Sequence, residues 1–194
     1  MAVKQVTGSD RHGWLDVRID GIADITSLPY SLSVDTLGVS EGREKFKVRE
    51  GIRKNMTGSV KLTPSGGSQF GSVAHRRAGS VSFSLSTGKV TFGELSINAL
   101  SAITDPSNPV PIGTWTLQIP DEKHPGGFGY YGRSRHASVW FRIGDGRDRY
   151  LHPGRNTAGC VTVTDVENWT TLCEYLMIAR KGDGMNVGTI QVTR

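Results

Sequence analysis

Long apolar runs are missing from this 194-residue chain. No stretch approaches the roughly 20 residues that cross a bilayer, so no membrane-spanning helix is expected. Cysteine is scarce. Two residues, Cys160 and Cys173, are too few for a framework of disulfide staples, and both are expected to be free thiols. Negative charge is in deficit: 18 Asp and Glu stand against 23 Lys and Arg, a formal charge of +5. Such an excess favours an anionic partner, whether nucleic acid, an anionic membrane surface or an acidic wall polymer. The basic residues fall in short groups at 43–47, 49–54, 76–77 and 142–149 and form no single stripe. The 25 glycines have no period of three, which excludes a collagen-like chain. Residues Met1 to Ser9 lack the apolar run of a secretory leader, so synthesis in the cytoplasm without a signal peptide is expected.

What is present reads as strands. Val60 and Leu62, then Val81, Phe83 and Leu85, then Val90, Phe92, Leu95 and Ile97 alternate with polar residues at period two. Further strands are expected at 114–119, 137–143 and 187–192. The charged stretch 41–55 fits an exposed hairpin or a short irregular helix. One helix is well marked: Thr164 and Glu167 fit a capping box, and Trp169, Leu172, Leu176 and Ala179 follow at helical spacing. The expected class is mainly β with one or two helices (α+β). Residues 1–84 form an N-terminal β-rich extension and 85–194 a catalytic domain.

The chemistry concentrates between Tyr150 and Val163. A thiol attacks as thiolate, and an imidazole can take its proton. Cys160 and His152 lie eight positions apart across a loop with Pro153, Gly154 and Gly159. A short strand at Tyr150 and Leu151 is expected to deliver His152 into that loop. Gly159 leaves room for a substrate carbonyl, and its turn can aim the Cys160 amide at the developing oxyanion. From the residues taken by themselves, an inert Cys160 at a strand start with a surface His152 stays open. So does a metal site from His124, His136, His152, Cys160 and Asp145, although these lack a compact ligand spacing. A non-catalytic module that binds glycan or nucleic acid, or a structural part of a phage particle or secretion machine, is the alternative of a different class.

At these residues the chain resembles the L,D-transpeptidase catalytic domain of bacterial cell-wall enzymes. Thr157-Ala158-Gly159-Cys160 stands on that family's Ser-x-Gly-Cys signature, and His152 on its upstream histidine. Asn108 to Leu117 is similar to its proline-rich approach to a Gly-Thr-Trp strand. The resemblance covers about residues 85 to 181. It implies a curved mixed sheet and acyl transfer or hydrolysis on peptidoglycan stem peptides, with Cys160 as nucleophile, His152 as base and Gly159 beside the reacting carbonyl. It calls for no cofactor and no metal. Ala158 stands where many members carry histidine, Thr157 where they carry serine, and Thr162 where they carry arginine. Arg155 is expected to replace that arginine as a clamp for the stem carboxylate. Thr157, His136 and Tyr131 are the other expected substrate contacts, with His124 on the cleft lip. Cys173 is expected to be structural, and Trp115 and Trp169 to be core residues. Peptidoglycan stems are the expected partner, and nucleic acid is disfavoured. Without a leader, the chain is also similar to compact toxins of this superfamily that a secretion apparatus delivers. That expectation adds an immunity protein as partner and places the action in the periplasm or at the cell wall.

Overall fold

Alternation of buried and exposed side chains runs through most of the chain, and it builds two sheets. The computed structural model describes residues 2–93 and 98–194. The expected alternation at Leu95 and Ile97 lies outside the described residues.

The first sheet holds β1 (Ala2–Val6), β2 (Trp14–Ile19), β3 (Thr26–Pro29), β4 (Ser33–Ser40), β5 (Arg43–Val48), β6 (Thr57–Lys61) and β7 (Phe70–Gly71). Its order is β3-β2-β6-β5-β4-β1-β7, and its pairings are antiparallel. On β2, Val17 and Ile19 face the core while Asp16 and Arg18 face out. The charged stretch from 41 becomes β5 and a following turn. There Phe46 and Val48 are buried between the outward Lys45 and Lys47.

The second sheet closes into a barrel. It comprises β8 (Gly79–Ser84), β9 (Lys89–Phe92), β10 (Asn98–Ile103), β11 (Gly113–Gln118), β12 (Phe141–Ile143), β13 (Arg149–Pro153), β14 (Val161–Val163) and β15 (Asn186–Thr193). Around the barrel the order is β10-β14-β13-β12-β11-β15-β8-β9. The pairs β13/β14 and β8/β15 are parallel, so the sheet is mixed. Closure removes the free edges that an open sheet would expose. The fold is thus mainly β, with, among the described residues, one α-helix, α1 (Trp169–Met177), and 3₁₀ turns at Pro125–Tyr130 and Val166–Asn168. The break between the sheets falls between Gly71 and Gly79. A division after residue 84 instead cuts the β8/β9 hairpin, because β8 pairs with β15 inside the barrel.

Two local expectations differ from the structure. Thr164 and Glu167 form no capping box. The Thr164 hydroxyl donates to the Ser101 carbonyl, Asp165 accepts the Ser101 amide, and Glu167 binds Arg133. Tertiary partners on β10 thus replace local capping. Residues 137–138 are turn and 139–140 irregular, and only Phe141–Ile143 is strand. The apolar stripe of α1 is as expected: Trp169, Leu172 and Leu176 are fully buried, and Cys173 joins them.

Arg180 ties the two sheets together. Its Nε donates to Glu50 at 2.9 Å, Nη1 to the Met177 carbonyl at 2.8 Å and Nη2 to the Ser31 carbonyl at 3.0 Å. Both ion-pair side chains are only 10% exposed. Removing one partner leaves a buried charge without compensation, which costs about 3 kcal/mol or more. Glu50→Ala should therefore lower stability by about that amount in urea unfolding. Asp35→Ala, whose partner Arg49 is 48% exposed, should cost less than about 1 kcal/mol. Equal losses would show that the junction does not depend on this pair.

Candidate active site

Strand parity builds the site. In the barrel wall, Phe141, Ile143, Leu151, Val161 and Val163 point inward and are 0% exposed. The register pairs Arg142 with Tyr150 and His152 with Thr162, so these four share the opposite face. The same parity carries Trp140 back along β12 and Cys160 back along β14. Cys160 and His152 therefore lie on one face of a parallel strand pair, offset by one step. His152 sits within β13 and not in the loop after it, because the parallel ladder continues to Pro153.

Cys160 is half-buried, in contrast to the fully buried Cys173 of α1. Its Sγ accepts the Tyr150 amide at 3.4 Å. Burial pushes the thiol up, with Asp148 and Asp145 adding to the rise and the Tyr150 N–H and Arg149 opposing it. The His152 ring is buried, with Nδ1 3.0 Å from the Pro153 carbonyl. A carbonyl can only accept, so Nδ1 carries the proton and Nε2 is the free base. Nε2 accepts the Thr162 hydroxyl at 3.0 Å. That hydroxyl has a second acceptor, the Asn156 carbonyl at 3.3 Å. It can turn there and receive Nε2–H once the ring is protonated. Burial pushes the imidazole down to about 4. The resting pair is thus a neutral thiol and a neutral imidazole, not the thiolate expected from the sequence. Among the described residues no hydrogen bond joins Sγ to the ring.

Trp140 was not singled out from the sequence, yet it fixes the plane of His152. Its indole stacks on the imidazole at 3.9 Å and 17°. His124 stacks on the other indole face at 3.5 Å and 7°. Trp140 Nε1 donates to the Ala137 carbonyl at 2.9 Å, which holds the indole in place. The signal was present: Trp140 shares the parity of Arg142, opposite to the core residue Phe141.

The turn before Cys160 is braced from outside. Gly159 has φ +114°, and a Cβ there would meet the Asn108 carbonyl oxygen at 2.7 Å. Asn108 donates to the Ala158 carbonyl at 3.3 Å and accepts Arg149 Nη2 at 2.6 Å. Arg149 is paired at 2.9 Å with Asp145, and both side chains are buried. The proline-rich loop thus reaches the turn before Cys160 through Asn108. The Thr157 hydroxyl is engaged inside that turn, accepting the Gly159 amide at 3.2 Å and donating to the Cys160 carbonyl at 3.0 Å. Arg155 is exposed on the same loop.

The other expected contacts lie elsewhere. His136 is buried, with Nε2 3.3 Å from Glu174, and lines a cavity of about 400 Å³ with Asp10 and Arg11 of the first sheet's side. Tyr131 stacks on His12 at 3.6 Å and donates to Ser138 at 2.8 Å. Both therefore contact the N-terminal half. The structure gathers Cys160, His152, Gly159 and Thr157, and adds Trp140, Tyr150, Thr162 and Asn108. Among the described residues no three His, Cys, Asp or Glu side chains form a metal-holding group.

No family model and no curated relative matches the chain. Solved L,D-transpeptidases are similar to it in overall shape. One from Mycobacterium tuberculosis H37Rv has a TM-score of 0.40 at 12% identity, covering 84% of this chain and 77% of that one. Mycobacterium tuberculosis L,D-transpeptidase 1 has a TM-score of 0.40 at 14% identity, covering 83% and 99%. An L,D-transpeptidase from Mycobacterium smegmatis has a TM-score of 0.40 at 11% identity, covering 93% and 99%. At this level the likeness assigns no residue and no reaction.

The buried imidazole makes stability depend on pH. Its proton is held more weakly in the folded state (about 4) than at the ordinary value of 6.5. Below pH 6.5 the unfolded chain protonates first, so stability falls as pH drops from 6.5 to about 4 and this contribution then levels off. Its size is about 3 kcal/mol. Denaturant curves across that window should lose this slope in His152→Asn. The same slope in parent and variant would contradict a buried neutral ring.

Proposed function

We propose that Cys160 and His152 catalyse acyl transfer or hydrolysis at peptide bonds of peptidoglycan stem peptides. The observation that carries this reading is the imidazole itself. Pro153 locks Nδ1–H, which leaves Nε2 as an unprotonated base on the face that also presents a half-buried thiol. The resemblance of Thr157 to Cys160, and of Asn108 to Leu117, to the L,D-transpeptidase signatures supplies the substrate class.

The neutral pair defines the order of events. The thiol proton passes to Nε2 as Sγ bonds to the substrate carbonyl carbon. Thr162 then turns its hydroxyl to Asn156 and accepts Nε2–H. The Cys160 amide, set by the left-handed Gly159, receives the oxyanion charge. Collapse breaks the C–N bond, and Nε2–H supplies the proton to the leaving amine. The thioester on Cys160 is then resolved by water, giving carboxypeptidase action, or by a second stem's amine, giving a cross-link. Arg155, exposed beside the turn, is the cation available for the stem carboxylate. This substrate places the activity in the periplasm or at the cell wall.

Incubation with purified tetrapeptide and pentapeptide muropeptides, read by mass spectrometry, tests the proposal. Loss of a terminal D-residue, dimer formation or exchange with an added D-amino acid is expected. Cys160→Ala should abolish all three with the fold retained, and His152→Ala should lower kcat by about 10²–10⁴-fold. Undiminished product from Cys160→Ala would end the thiol mechanism. Alkylation of Cys160 should rise in one step at high pH, with no reactive component near neutrality. A low-pH component that disappears in His152→Ala would instead show a resting ion pair.

A further inference from the structure

We propose that the outer face of β2, β6 and β5 is a docking surface for carboxylate-bearing strands of peptidoglycan, an inference that rests on the substrate class assigned to the Cys160 site. The face is read from the register. Arg43 stands directly opposite Lys61, and Lys45 and Arg18 flank Ser59 from either side. Lys47 follows, opposite Thr57. Neighbouring strands lie about 4.8 Å apart and same-face residues about 7 Å apart. The first four cations therefore sit within one small patch. Among the described residues none of the five is in an ion pair.

The arrangement does not serve stability. Like charges placed directly opposite across a strand pair repel each other. Of the acids nearby, Asp35 pairs with Arg49 and stands opposite Lys47, and Asp20 accepts the Thr57 hydroxyl; none pairs with Arg18, Arg43, Lys45 or Lys61 among the described residues. Ser59 stands between Arg18 and Lys45, and Gly38 and Ser40 stand beside Lys45 and Arg43 on β4, small residues that leave the charges accessible. Arg43 is held flat along the sheet by two hydrogen bonds to Ser59, at 2.9 and 2.8 Å.

The patch also has depth. β2 pairs with β6 only at Arg18–Ser59 and Ile19–Gly58, and beyond that the strands part. A cavity of about 550 Å³ opens there, with Leu15, Val17 and Val60 in its lining and Arg18, Arg43 and Lys61 at its charged side. Asp10 and Asp16 line it too, but both face Lys123, at 3.8 and 2.6 Å. Apolar lining with cations suits a short peptide that ends in, or carries, a carboxylate. Single-stranded nucleic acid is the poorer fit, because the aromatic ring in the cavity lining, Trp14, is buried with its Nε1 bound to Ser138 and offers no open face for base stacking.

Sedimentation of the full chain with purified sacculi tests this surface. Parent protein should co-sediment, and about 0.5 M salt should release it by screening. The triple variant Arg18→Gln, Lys45→Gln, Lys61→Gln should bind at least about ten-fold more weakly, with unchanged turnover of a soluble stem peptide. Its circular dichroism should match the parent, and its Tm should be equal or higher because opposed like charges are gone. Sacculi with amidated carboxyl groups should lose parent binding to the same extent. Equal sedimentation of parent and variant, equal binding to amidated sacculi, or tighter binding of a DNA oligomer than of sacculi would each overturn the proposal. Salt-sensitive sacculus binding with no turnover would remove the catalytic reading and leave this surface. Turnover with sacculus binding indifferent to the triple substitution would do the reverse.

Discussion

The parallel register of β13 against β14 is the constraint on which the candidate chemistry depends. It sets His152 beside Thr162 and brings Cys160 alongside Tyr150. Side chains alternate along a strand, so a slip of one residue would turn the thiol or the ring into the barrel interior. Leu151, Val161 and Val163 prevent that slip because all three are fully buried on the inner face. The apolar core therefore specifies the site. No contact between the two reactive groups is needed to hold them on the same side.

Charge within the site follows from burial in the same way. A low-dielectric setting disfavours charged forms, and here it pushes the thiol up and the imidazole down. Those shifts keep the proton on sulfur and leave the imidazole neutral. What holds the ring is a carbonyl on one nitrogen, a hydroxyl on the other and an indole against its face. What holds the thiol is a left-handed glycine pressed against Asn108. Asn108 is itself gripped by Arg149. The loop at Asn108 and the start of β13 at Arg149 thus brace one turn, through hydrogen bonds that fix its direction.

Local pattern made much of this legible. Period-two alternation marked strands at β6, β8, β9 and β15, and the stripe of Trp169, Leu172 and Leu176 marked α1. The segment from Thr157 to Cys160 drew attention through residue chemistry. Other features were not legible, for physical reasons. β5 was obscured because Lys45 and Lys47 outnumber the visible apolar signal of Phe46. The local pattern at Thr164 suggests a cap that does not form, because Ser101, a partner 63 residues away, takes its hydroxyl. The stack of His124, Trp140 and His152 joins three segments whose proximity exists only after the barrel closes. His136 and Tyr131 carry suitable chemistry, but the packing of the first sheet against the second claims them.

Natural sequences tend to break stability rules where function demands it, and three breaks in this chain bear on the two faces described above. Gly159 holds a positive φ at the turn that delivers the thiol. His152 is buried without a counter-charge in the barrel wall. Arg43 and Lys61 oppose each other on the first sheet. Each is a place where a stabler residue is easily named: a residue of ordinary φ, an aliphatic side chain, a glutamate. The core offers no such exceptions along Leu151, Val161, Ile190 or Val192, all of which are buried apolar residues in strands. These three fall on the barrel face that carries Cys160 and His152 and on the cationic face of the N-terminal sheet. Arg180 ties the two sheets at Glu50, so the chain carries both faces on linked supports. Under the proposed function, a polymer with carboxylates along its length would engage the second while one of its peptide bonds occupies the first, and the attraction of the cationic face would then raise the local concentration of peptide bonds at the Cys160 site.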